Sequence, residues 1–181
     1  WAPDQVALSP DDALVELAHR YFRSHGPATV RDFAGWTGLT LTAARVAVAG
    51  NDGRLVAAAL EDDECWLTTD MQTAIHDGAA DHPLPAVALP GFDEFILGFK
   101  DRRAQLAPEH MAQVVPGSNG MFRSTICLDG RAVATWVRTV RKNRIDVTLE
   151  PFAPLSTRHV RSAESALARY GEFVGLPIVC V

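Results

Sequence analysis

The sequence predicts an α+β protein: a winged helix-turn-helix domain over residues 1–80, then a small curled β-sheet or β-barrel domain with a C-terminal helix over residues 81–181. Three observations lead there. Three short segments with capping residues and helical apolar spacing precede two strand-like runs around an acidic turn, the order of a winged helix-turn-helix. A proline-rich polar stretch, Asp81-His82-Pro83-Leu84-Pro85, separates that block from the second half of the chain. Beyond residue 121, short apolar runs divided by turn signals read as a strand meander, closed by one long helix.

The first helix opens at Ser9-Pro10-Asp11-Asp12: serine caps, proline suits the first helical position, and Asp12 stands where a capping box wants an acid. Leu14, Leu17, Ala18, Tyr21 and Phe22 recur at helical spacing until Gly26-Pro27 stops the run. Thr29 and Asp32 start the second helix in the same way, Val30, Phe33 and Ala34 give it an apolar face, and Gly38 ends it. A third begins near Thr40 or Thr42 and ends at Gly50-Asn51. Residues 54–60 and 65–68 then read as strands flanking the turn Glu61-Asp62-Asp63-Glu64, and a further helix is expected over 70–76.

In the second half, residues 86–89 form a short apolar strand before Pro90-Gly91, and Phe92, Phe95, Ile96 and Phe99 suggest one or two helical turns. Residues 121–128 and 131–140 read as strands joined at Asp129-Gly130, a strong hairpin signal. Arg141-Lys142-Asn143-Arg144 is a second turn. Ile145, Val147 and Leu149 then alternate with Asp146, Thr148 and Glu150, as a half-buried strand requires. A helix over about 156–173 and a last strand over 178–181 complete the expectation.

With 48% hydrophobic residues in 181, the chain can bury a real core, and no apolar run reaches the roughly 18 residues that cross a bilayer, so no membrane partner is expected. Three cysteines far apart (Cys65, Cys127, Cys180) suggest reduced thiols and a cytoplasmic address. The chain starts at Trp1, which suggests a fragment. The net charge of −5 is unevenly divided: residues 1–94 hold 5 Lys+Arg against 15 Asp+Glu, whereas residues 95–181 hold 12 against 7. The second part is therefore the better candidate for an anionic partner.

Several stretches in order resemble one bacterial family. Thr29-Val30-Arg31-Asp32-Phe33-Ala34-Gly35-Trp36-Thr37-Gly38-Leu39-Thr40 looks like its helix-turn-helix signature. The run from Leu89-Pro90-Gly91-Phe92-Asp93-Glu94 through Lys100-Asp101-Arg102 looks like its most characteristic segment. Asn119-Gly120-Met121-Phe122-Arg123 and Asp129-Gly130-Arg131 through Thr135-Trp136 look like its barrel hairpin. The chain thus resembles the winged-helix DNA-binding proteins that include the AlkZ-like DNA glycosylases. That resemblance implies tandem winged helices with a C-terminal β-barrel around a DNA channel, and excision of alkylated or crosslinked bases. It also implies a catalytic Gln-x-Gln or Gln-x-Asp. Here Gln5, Gln72, Gln105 and Gln113 are followed two positions later by Ala7, Ala74, Ala107 and Val115, so no catalytic residue is assigned. The motif is expected in an N-terminal part upstream of this chain, whose further winged helices would be partners alongside double-stranded DNA. The alternatives are a non-enzymatic winged-helix DNA-binding protein or transcriptional regulator, and an interaction module without a nucleic-acid role.

The third helix offers one cation, Arg45, and the wing tip four acids, so this winged helix is expected to act as architecture rather than dock on phosphates. The candidate DNA-binding residues are Lys100, Arg102 and Arg103 in one cluster, Arg138, Arg141, Lys142 and Arg144 in another, with Arg123 and Arg131 near the hairpin. The other reading of these cations is a solvated face paired with Asp101, Asp146 and Glu150. Ala132, Ala134, Trp136 and Arg138 are expected to share one strand face, with Trp136 in the core. Asp93 is expected to cap a helix rather than act with Glu94. His76-Asp77 and Asp81-His82 have no recognised zinc spacing, and neither metal nor cofactor is expected.

Overall fold

The computed structural model describes residues 7–60, 63–118 and 120–181, in two compact units: residues 1–82 with Gly98–Lys100, and Pro83–Leu97 with Asp101–Val181. Trp1, Gln5, Glu61, Asp62 and Asn119, named above, lie outside the described residues. Among the described residues are seven α-helices and two sheets. No helix is long and apolar enough to cross a membrane.

The first unit begins with α1 (Pro10–His25), α2 (Val30–Thr37) and α3 (Leu41–Ala49). Each start is set by a side chain that occupies a backbone N–H the helix leaves over. Ser9 Oγ accepts from Asp12 N–H, Thr29 Oγ1 from Asp32 N–H and Thr40 Oγ1 from Ala43 N–H. At α2 the box is reciprocal, since Asp32 Oδ2 accepts from Thr29 N–H at 2.9 Å. Gly38 closes α2 with φ 74°, a left-handed conformation that glycine adopts without strain. The apolar faces meet in a core of Phe22, Phe33, Tyr21, Ala18, Ala44 and Ala47, with Tyr21, Phe22 and Phe33 in mutual ring contact at 5.2–5.6 Å.

β1 (Leu55–Leu60) and β2 (Asp63–Thr68) form an antiparallel pair. Asp63 and Glu64, expected in the acidic turn, are strand residues paired with Leu60 and Ala59. Ala28 and Trp66 add a two-bond bridge beside this hairpin. α4 (Thr69–His76), capped by Thr68, ends the run. Segment 98–100 also belongs to this unit. Tyr21 Oη donates to Gly98 O at 2.7 Å, and Lys100 N–H donates to Asp32 Oδ1 at 2.6 Å.

On the surface of this unit Glu16 accepts from both Arg20 and Arg54, at 2.8 and 2.9 Å, and these guanidiniums lower its carboxyl to about 2. A carboxyl held below its unfolded value stabilises the fold above that unfolded value, and the contribution fades as pH falls toward the folded one. Thermal melts should therefore show Glu16→Gln least stable relative to wild type above about pH 5, with the gap closing toward about pH 2. A gap that stays constant with pH would show that the two arginines do not set this carboxyl.

The second unit is built on β3 (Val87–Leu89), with α5 (Glu94–Leu97) and α6 (Met111–Val114) in the segment before β4 (Thr125–Leu128). β5 (Arg131–Val140), β6 (Ile145–Pro151), α7 (Thr157–Val174) and β7 (Ile178–Cys180) complete it. The strands form one sheet in the order β3-β4-β5-β6-β7, antiparallel except for the parallel pair β6–β7. Parallel neighbours need a crossover, and α7 supplies it. The sheet is open, with β3 and β7 as its edges, so the β-barrel alternative is corrected to a five-stranded open sheet among the described residues. Two three-residue edge strands offer too little ladder to close a ring.

α7 covers one sheet face, where Ala163 and Leu167 pack with Ile126, Ala134, Trp136, Ile145 and Val147. The other face packs Cys127 and Ala132 with Ile96, Leu106 and Val114. Ala132 is therefore not on the face of Ala134 and Trp136, as simple alternation predicts. Ile126 pairs with Ala134 but Cys127 with Ala132, so Val133 is an extra residue in β5 and the bulge turns the strand over. Trp136 is in the core, 3% exposed, its Nε1–H donating to Leu89 O at 3.0 Å. Burial pushes the Cys127 thiol up to about 11.

The strand expected over 121–128 is shorter, because residues 121–124 serve other contacts. Arg123 N–H donates to Val114 O, and Gly91 lies so close to Phe122 that a Cβ there would sit 2.7 Å from its carbonyl oxygen. The Asp129-Gly130 turn has φ of 48° and 74°, as a two-residue hairpin needs. Asp93 Oδ1 accepts from Phe95 N–H at the start of α5, the capping role expected of it.

Candidate nucleic-acid interface

The eight candidate residues of the second unit do not form one patch, since Arg131 opens β5 and Arg141 follows its far end. Lys100 is exposed and belongs to the first unit; Arg102 and Arg103 belong to the second. Arg102 is half-buried, its Nε–H donating to Ile96 O at 2.7 Å and its guanidinium 5.3 Å from the Phe122 ring centre, so it fastens the segment after α5. Arg103 pairs with Asp101 at 2.7 Å and holds that carboxyl below its ordinary range. Arg123 reaches Glu150 at 3.3 Å, and Arg131 donates to Arg103 O at 3.4 Å. Arg138 lies 5.3 Å from the Tyr170 ring centre and 5.9 Å from that of Trp136, a cation stacked beside the α7 face.

The turn between β5 and β6 is the densest basic element. Arg141 N–H donates to Arg144 O at 2.8 Å and closes it. Arg141 and Arg144 straddle Asp146, donating to its two oxygens at 2.9 and 2.7 Å. The Arg144 and Arg141 guanidiniums hold the Asp146 carboxyl below its ordinary range. Two guanidiniums on one carboxylate leave a net positive charge, and the exposed Lys142 at the tip adds another. The carboxylate thus orients the two arginines without neutralising the turn. Asp146, Asp101 and Glu150 are the acids that the solvated-face reading names, and each has an arginine partner.

α7 carries three further exposed arginines that the sequence reading did not select: Arg158, Arg161 and Arg169. Their spacing on a helix was the signal that could have found them. In the first unit α3 shows one exposed cation, Arg45, beside exposed Val46, and β2 begins with exposed Asp63 and Glu64.

A family model described as DNA glycosylase AlkZ-like matches residues 1–173. The chain belongs to the AlkZ-like DNA glycosylase family. Among its AlkZ-like relatives is an interstrand DNA cross-link repair glycosylase of Streptomyces sahachiroi, 26% identical over 173 residues, covering 92% of this chain and 44% of that protein. The solved structure of Streptomyces sahachiroi DNA glycosylase AlkZ superposes over 98% of this chain and 48% of its own, with a TM-score of 0.76 at 24% identity, and so shares the fold. The chain spans less than half the length of these AlkZ proteins.

Proposed function

We propose that this chain is the DNA-holding portion of a repair glycosylase that acts on alkylated or crosslinked bases. The reading rests on one observation: the family match over residues 1–173 covers a turn that presents Arg141, Lys142 and Arg144 with net positive charge. The Gln-x-Gln or Gln-x-Asp motif that the resemblance implies is not among these residues, so the role assigned to them is to grip the phosphate backbone rather than to cut the glycosidic bond. Phosphate contacts supply most of the affinity of such proteins, and arginine is suited to them. α1 to α3 with β1 and β2 are read as a winged helix-turn-helix over residues 1–80. Arg45, the lone cation of α3, and exposed Asp63 and Glu64 suit packing better than groove docking.

The test is fluorescence anisotropy with duplex DNA between about 50 and 200 mM salt, where a protein making several phosphate contacts loses orders of magnitude in affinity. Wild type should weaken steeply with salt, and Arg141→Glu/Lys142→Glu should bind about tenfold or more weakly. Lys142→Glu alone serves as a companion, because Lys142 has no ion pair among the described residues and its loss leaves the Asp146 pairs intact. Absence of binding at low salt by the folded chain would overturn the reading.

A further inference from the structure

We propose that the exposed face of α7 is a second strip for a phosphodiester backbone, separate from the turn between β5 and β6. Arg158, Arg161, Ser162, Ser165 and Arg169 line an open groove of about 450 Å³. Steps of three and four residues place these side chains on one helical face. At about 1.5 Å of rise per residue, the row from Arg158 to Arg169 is about 16 Å long. No acid lines the groove; the exposed Glu164, three residues after Arg161, is outside its lining, and Glu172 lies one turn beyond its end.

Arg158 and Arg161 have no ion-pair partner among the described residues. Arg169 donates to the backbone oxygen of Ala86, which fixes its guanidinium at the groove wall while leaving its charge unneutralised. Ser162 Oγ donates to Arg158 O, so the hydroxyls of Thr157 and Ser165, which also line the groove, are those left for a ligand. A row of three unneutralised guanidiniums over this length matches a linear polyanion better than a small one, which would meet one or two of them. The groove has no aromatic ring on which a base could stack. It is therefore a backbone-tracking strip without sequence preference.

The strip is distinct from the basic turn. α7 is the crossover from the end of β6 at Pro151 back to β7, which pairs alongside Ile145, so α7 ends near the basic turn and begins at the far end of the sheet. Arg158 and Arg161 are thus at the opposite end of α7 from Arg141 and Arg144. One protein then has two grips on a duplex, the turn at one end of the sheet and a groove that runs along α7 from the other end.

This inference rests on the DNA-binding reading, and salt dependence separates the two. Each phosphate contact contributes about 0.9 to the slope of log affinity against log salt. For the 181-residue chain, Arg158→Gln/Arg161→Gln should lower that slope by about two and weaken binding severalfold near 100 mM salt, on any duplex sequence. Arg158→Lys/Arg161→Lys, which keeps the charge, should restore most of the slope. Both sites are exposed, and matching thermal melts verify the fold. If wild type binds and Lys142→Glu weakens binding, but the glutamine pair leaves slope and affinity unchanged, the α7 strip is overturned and the DNA reading stands. If the lysine pair loses the slope as fully as the glutamine pair, the strip is not electrostatic and is likewise overturned. If the folded wild type does not bind DNA at low salt, both fall.

Discussion

Replacing Phe33 with alanine should cost about 3–5 kcal/mol, the largest single-site loss expected in this molecule. The ring is fully buried where α1 and α2 meet, 5.3 Å from Tyr21 and 5.6 Å from Phe22 between ring centres. Its removal leaves a cavity that the small neighbours Ala18, Ala44 and Ala47 cannot fill. Domains are stable by only about 5–15 kcal/mol, so this loss takes a large share of the margin. Urea unfolding of Phe33→Ala against Phe33→Leu provides the measurement. The leucine variant should lose far less, because it keeps most of the volume. An alanine variant within about 1 kcal/mol of wild type would show that the ring is not packed as described.

Asp32→Ala should cost about 3 kcal/mol, through hydrogen bonds rather than volume. The carboxyl is 4% exposed and uses both oxygens: Oδ2 accepts from Thr29 N–H and Oγ1–H, and Oδ1 accepts from Lys100 N–H. Losing an N-cap partner costs about 1 kcal/mol, and donors left buried without an acceptor cost about 1–3 kcal/mol more. The specific readout is amide exchange at Lys100, which should accelerate in Asp32→Ala much more than at interior α1 amides. Asp32→Asn retains one acceptor and should fall between. If Lys100 exchange were unchanged, the carboxyl would not be what ties segment 98–100 to α2.

How much could be read from the residues depends on the range of the forces involved. Ser9, Thr29, Thr40 and Ser156 act on N–H groups three positions ahead, so helix starts were legible locally. Asp129-Gly130 fixed a hairpin for the same reason. The bulge at Val133 was not legible, because it exists only through the pairing of β5 with β4. The open sheet depends on which strands become edges, which no local pattern states. In the candidate interface, the runs around Arg102 and Arg141 were visible as charge. That Arg102 is committed to Ile96 O, and that one Asp146 orients two arginines, needed three dimensions. Arg158, Arg161 and Arg169 were present in the charge of the second half but went unsorted, because a helix face is recognised by spacing and not by density.

Leaving the sheet open has a consequence for how these molecules behave at high concentration. A bare sheet edge invites another chain to add a strand, the first step toward aggregation. Here both edges are only three residues long, and prolines frame them: Pro85 and Pro90 around β3, Pro177 just before β7. A proline offers no N–H to an incoming strand, so a second molecule finds too short a ladder to hold. The five-stranded sheet thus offers an incoming strand little to pair with, although it is not closed into a ring.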